Sequence, residues 1–158
     1  MSKTWDSNPV VREARTWIGT RFLHQGRSKK TSDQPGGCDC LGLVIGVCKS
    51  LGIQSLYAPH PFLCELDNPN YGFIHSQDQL SQVLDLHLLK HDGKPYPGAI
   101  GLFAMANYNQ HVGIFSDYPS PENVSELGLI HCHIRAGGVV EHRYDESWQS
   151  RCKGVYRL

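Results

Sequence analysis

Apolar positions recur at helical spacing through the first half of the chain and alternate with polar ones through much of the second. Val10, Ala14, Trp17 and Ile18 fall on one helical face, with Ser7 or Asn8 as cap, Pro9 in the first turn and Gly19 at the end. From Asp39 the period is helical again. Leu41, Val44, Ile45, Cys48 and Leu51 form a stripe that Gly52 stops, and Asp39 as N-cap places Cys40 in the first turn. Gly42 and Gly46, four apart, predict another element packed closely against this helix. Ser76 with Gln79 reads as a capping box, and Leu80, Val83, Leu84 and Leu88 continue a third amphipathic helix.

After Lys94-Pro95-Tyr96-Pro97-Gly98 the period changes to two. Ile100, Leu102 and Ala104 alternate, as do Val112 and Ile114, then Ile130, Cys132 and Ile134, then Val139, Glu141 and Arg143. Asn107-Tyr108-Asn109, Pro119-Ser120-Pro121 and Ala136-Gly137-Gly138 read as the turns between them. Asp145 starts a short helix through Trp148, and Gly154-Val155-Tyr156 adds a last strand. Two stretches lack a period: a Gly-rich loop over 20–38, and an irregular, Pro-containing excursion over 53–75 that includes Cys64. Helices first and a strand meander afterwards predict an α+β fold, one domain over 1–158 without internal repeats.

Composition adds little to this picture except exclusions. The chain has 158 residues, 40% hydrophobic and 19% charged, with a formal net charge of zero. Its Lys and Arg are scattered rather than gathered into a basic stripe, so nucleic acid is not an expected partner. No apolar run approaches a membrane span, and none is expected to insert in a membrane. The N-terminal segment Met1-Ser2-Lys3-Thr4-Trp5-Asp6 lacks the apolar core of a signal peptide. That predicts cytoplasmic synthesis, and free thiols rather than disulfides for the six cysteines.

The chemistry begins at Cys40. Most cysteines are small buried hydrophobes, and Cys48, on the apolar stripe, reads that way. Cys40 differs because helix amides point toward its first turn, where they favour a thiolate, and Gly36-Gly37 precedes it. Cys38 competes less well from the loop before the cap. His111 follows a polar turn at the start of a strand, where an imidazole can face a cleft. In His131-Cys132-His133 the two histidines share one face, and Cys132 points into the core with Ile130 and Ile134. Either histidine is a candidate to orient His111. Cys38-x-Cys40 and His131-x-His133 are potential zinc ligands, but their spacing is shorter than the usual structural pattern and no spaced acid completes them. The residues therefore imply no metal and no cofactor.

Trp17-Ile18-Gly19-Thr20-Arg21-Phe22, Gly37-Cys38-Asp39-Cys40-Leu41-Gly42-Leu43-Val44, Pro97-Gly98, His111-Val112-Gly113-Ile114, Ile130-His131 and Val139-Val140-Glu141-His142 follow one another as in the NlpC/P60 cysteine peptidases. The chain resembles that family from about residue 10 to its C-terminus. His24-Gln25-Gly26-Arg27 and the short tail from Trp148 resemble its phage-type cell-wall peptidase branch. The resemblance implies a papain-like fold, N-terminal helices packed on an antiparallel sheet, and hydrolysis of amide bonds in peptidoglycan stem peptides. The bond implied is typically D-γ-glutamyl to diamino acid. It also implies Cys40 as nucleophile, His111 as general base and His131 as the residue orienting the base, with Asp39 contacting the substrate amine. Phage tail proteins are the partners implied, and carriage in a tail or gene transfer agent would bring a chain without a signal peptide to the wall.

Two positions depart from the family pattern. Leu41 stands where a Ser often helps hold the substrate amine, and Gly98-Ala99 stands where Gly-Asp usually opens the first strand. Two alternatives stay open. One is a Cys/His acyltransferase or amidase, although those relatives usually place His before Cys. The other is a tail-tip structural subunit that keeps the fold with weak or no catalysis.

Overall fold

The computed structural model describes residues 8–53, 79–106, 108–118 and 126–158. Helix α1 (Pro9–Thr16) is capped by Asn8, whose Oδ1 accepts from the Val10 and Val11 amides at 2.9 and 3.3 Å. The Asn8 side-chain amide donates to the Pro97 carbonyl at 3.0 Å, so the cap also ties α1 to the turn before the sheet. Helix α2 (Cys40–Leu51) starts at Asp39 and ends at Gly52, whose φ of 63° suits a residue without Cβ. The two glycines of α2 are contact points, as their spacing predicts. A Cβ at Gly46 would lie 2.2 Å from the Trp17 ring, and one at Gly42 would lie 2.1 Å from the Gly26 carbonyl oxygen. Helix α3 (Gln79–His87) buries Leu80 and Leu84, with Leu88 buried just beyond its end. Ser76 and residues 54–75, with Cys64, lie outside the described residues. Among the described residues no helix is long and apolar enough to cross a membrane.

Strands β1 (Arg27–Ser28) and β2 (Gly37–Cys38) pair inside the stretch read as a loop, too short to leave a period. The main sheet contains β3 (Leu89–Lys90), β4 (Ile100–Met105), β5 (Tyr108–Tyr118), β6 (Glu126–His133), β7 (Gly138–Arg143) and β8 (Cys152–Arg157). Its order is β3-β8-β4-β5-β6-β7, and its paired strands are antiparallel. The chain is thus a mixed α and β protein built on an antiparallel sheet. Helix α4 (Glu146–Gln149) follows β7, with Asp145 as its cap.

The strands carry buried residues on both faces. Ile100, Leu102, Val112, Ile114, Ile130, Cys132 and Val139 pack with α1, α2 and α3 in one core. Ala99, Phe103, Phe115, Leu129, Trp148 and Val155 form a second core on the opposite face, where Trp148 is supplied by α4. Arg15 of α1 fixes the first layer by bonding both carboxylate oxygens of Glu141 (2.9 and 3.1 Å) and the Asp117 carbonyl (2.8 Å).

Two local expectations change. Tyr108 and Asn109 pair with Met105 and Ala104 as strand residues, so His111 sits within β5 rather than at its start. Ile134 leaves the β6 alternation for a 3-10 turn and is 54% exposed. The last strand, β8, forms as its pattern predicts and lies between β3 and β4.

Candidate active site

Cys40 owes its position to the turn that precedes it. The amides of Leu23 and Cys38 donate to the Cys38 and Arg21 carbonyls at 2.9 and 3.1 Å, and the Phe22 amide donates to Gly137 at 2.8 Å. These bonds lay the Arg21–Leu23 stretch between β2 and the start of β7. The chain then turns at Asp39 into α2. Asp39 Oδ1 accepts from the Gly42 amide at 2.8 Å and from Arg27 at 3.1 Å, while Oδ2 accepts from the Gln25 amide at 2.8 Å. The buried Asp39 carboxylate therefore fixes both the start of α2 and the 25–27 segment. Cys40, half-buried, packs against the helix-side core. Backbone N–H groups of Val112 and Leu41 reach its sulfur.

His111 and His131 come from neighbouring strands on the other face of the sheet. His111 alternates with Val112 and lies opposite Phe103, while His131 alternates with Ile130 and Cys132. His111 Nε2 lies 2.6 Å from His131 Nδ1, a direct ring-to-ring hydrogen bond. Gly113, which shares their face, makes the approach possible. A Cβ there would lie 2.7 Å from Leu129 Cδ1 and 3.1 Å from His131 Cβ. The glycine of His111-Val112-Gly113-Ile114 thus has a packing reason.

Three further residues complete the cluster. His133 stacks on His131 with ring centroids 5.3 Å apart and planes 19° apart. Trp148 sets its ring edge-on to His131 at 4.6 Å and tilted to His111 at 5.6 Å, sealing this face. His142 Nε2 lies 2.8 Å from His131 Nε2. Sequence reasoning assigned no role to Trp148 or His142. The signal for His142 was present: a β6–β7 hairpin across Ala136-Gly137-Gly138 puts Val140 and His142 on the face of His131 and His133. The register His131↔Val140 makes His142 the diagonal neighbour of His131.

The electrostatics keep the site neutral at rest. Burial, reinforced by the Asp39 carboxylate, pushes the Cys40 thiol up to about 12, against the pull of the Val112 and Leu41 amides. Burial and the nearby His133, Arg151 and His142 lower His111 to about 3. Burial and the other histidines lower His131 as well. A neutral thiol and neutral imidazoles are therefore the resting forms near pH 7.

The structure thus joins His111 to His131 directly and brings the Cys40 sulfur to the Val112 amide, one residue from His111. Cys38 is buried, and its carbonyl accepts from the Cys132 thiol at 3.0 Å, so both serve the core. The five described cysteines are free thiols. Among the described residues no group of three or more His, Cys, Asp or Glu is arranged to hold a metal ion. A cleft of about 660 Å³ opens at His133, lined also by Met105, Ile134, Arg135, Arg151 and Lys153. Its charged side chains are all basic. No protein-family model matches the chain, and no curated protein matches its sequence.

Proposed function

We propose that this chain is a cysteine peptidase of the NlpC/P60 type with a papain-like fold, acting on amide bonds of peptidoglycan stem peptides. The scissile bond proposed is D-γ-glutamyl to diamino acid, and delivery to the wall in a phage tail or gene transfer agent is part of the same reading. The observation that carries it is the 2.6 Å bond between His111 and His131, on a strand whose next amide, that of Val112, reaches the Cys40 sulfur at the start of α2. That pairing supplies a base with its orienting group, one residue along β5 from the amide that meets the thiol. The order Cys40 before His111 favours a peptidase over the permuted acyltransferases. The basic cleft suits stem peptides, which carry free carboxylates.

In the proposed reaction His111 Nδ1 accepts the Cys40 proton as the sulfur attacks the peptide carbonyl carbon. Because the resting pair is neutral, the proton moves during attack, when thiolate and imidazolium stabilise each other. First-turn amides of α2, with that of Cys40 among them, hold the oxyanion. The imidazolium then protonates the leaving amine, the C–N bond breaks and a thioester remains. Water, deprotonated by His111, releases the acid and restores the thiol. Asp39 is proposed to reach the substrate amine, in addition to holding α2.

The test is digestion of purified peptidoglycan peptides by wild type and Cys40→Ala, read by mass spectrometry. New γ-glutamyl–diamino acid cleavage that falls at least about 10³-fold in the variant is the expected result. Equal cleavage by both proteins, or none by wild type, overturns the assignment, and the second outcome points to the structural subunit.

A further inference from the structure

We propose that His142 is a positioning residue that fixes the tautomer of His111, a role that rests on the hydrolase reading of Cys40 and His111. The contacts form one chain from β5 to the backbone of β7. His111 Nε2 meets His131 Nδ1 at 2.6 Å, His131 Nε2 meets His142 Nε2 at 2.8 Å, and His142 Nδ1 meets the Arg143 carbonyl oxygen at 2.8 Å. The direction of every bond follows from the last one. A carbonyl oxygen only accepts, so His142 Nδ1 donates. In a neutral imidazole the other nitrogen then holds a lone pair, and His142 Nε2 accepts from the Nε2–H of His131. By the same rule His131 Nδ1 accepts from the Nε2–H of His111.

His111 is left with its lone pair on Nδ1. That is the ring nitrogen nearer its own main chain, where the Cys40 sulfur meets the Val112 amide. One backbone carbonyl therefore aligns three tautomers and leaves the His111 lone pair on Nδ1, the nitrogen that the proposed proton transfer from Cys40 uses. His142 aside, the His131 ring bonds only His111 among the described residues, so no other contact there fixes which of its nitrogens carries the proton. In its other tautomer His131 donates from Nδ1, His111 must accept at Nε2, and the His111 proton moves to Nδ1, where it blocks general-base chemistry.

The experiment is imidazole ¹⁵N NMR of histidine-labelled protein at pH 8, with kcat and KM measured on stem peptides. In wild type His111 shows an unprotonated Nδ1 and a protonated Nε2. His142→Leu mixes the tautomers of His111 and His131 and lowers kcat roughly tenfold, with KM within about twofold. His142→Asn, whose carbonyl oxygen still accepts from His131, keeps the wild-type tautomers and stays within about threefold of its kcat. His142→Lys can only donate, reverses the chain and puts the His111 proton on Nδ1, which gives a second reading should H142L fail to fold. A protonated Nδ1 in wild type, or an unchanged His111 in both H142L and H142K, overturns the proposal. The spectra need no turnover. An inactive wild type with the expected tautomers therefore marks failure of the hydrolase reading, and the positioning role falls with it. An active one with the opposite tautomer marks failure of the His142 chain alone.

Discussion

A thiol at about 12 and an imidazole at about 3 set the behaviour of the site at the scale of single residues. Below its pKa the thiolate fraction rises tenfold per pH unit. Alkylation of Cys40 in the free protein should then climb with a slope of about one from pH 7 to 10, without a plateau. Peptide mapping after iodoacetamide treatment separates Cys40 from the half-buried Cys152, and a plateau near pH 7 would instead reveal a preformed ion pair. His111 also links pH to stability. Its folded-state pKa lies below the ordinary 6.5, so between about pH 6.5 and 3 the unfolded chain binds more protons, and stability falls as the solution is acidified. At pH 5 the loss from His111 is on the order of 2 kcal/mol, or roughly 4–8 °C in Tm for a chain of this size. Thermal melts at pH 5 and 7.5 of wild type and His111→Asn isolate it: the pH difference should shrink in the variant without vanishing, because His131 and His133 are lowered too.

Among the elements, α2 is held by close approach rather than by bulk. Gly46 lies against Trp17, and Gly42 against the Gly26 carbonyl, so α2 has a neighbour at each of its two glycines. Gly46→Ala gains about 1 kcal/mol of helix propensity but drives a methyl into the Trp17 ring. Overpacking of this kind costs about 1–3 kcal/mol and more where the neighbour is a rigid ring, so urea titration should show net destabilisation. The caps at Asn8, Asp39, Gly52 and Asp145 were legible because side-chain oxygens and a left-handed glycine act within one turn of the chain. The β1–β2 pair was not, because two residues per strand leave no alternation to read. Ile134 misled the pattern because apolar character places a residue inside only when its strand continues to that point.

For the whole molecule, the position of β8 carries the largest consequence. It lies between β3 and β4, so its backbone bonds both neighbours, and Tyr156 and Val155 fill opposite cores. Deleting residues 152–158 leaves Cys40, His111 and His131 in the chain yet removes an interior strand. The expected outcome is loss of cooperative unfolding and of soluble expression, checked by circular dichroism and gel filtration. Retention of a native melt would show that β4–β7 folds without it.

The sequence alone determined the helices, most of the strands, the placement of Cys40 at a helix start and of His111 and His131 on strands, because each rests on local periodicity and capping chemistry. It also separated Cys48 and Cys132 from the chemistry, since both fall on apolar faces that the structure buries. Tertiary structure decided what depends on register and strand order: the His111–His131 bond, the diagonal contact with His142, and the second core closed by Trp148. It also decided the neutral resting state of the site. A pKa follows from how much water the surrounding fold removes, and no window of neighbouring residues contains that quantity.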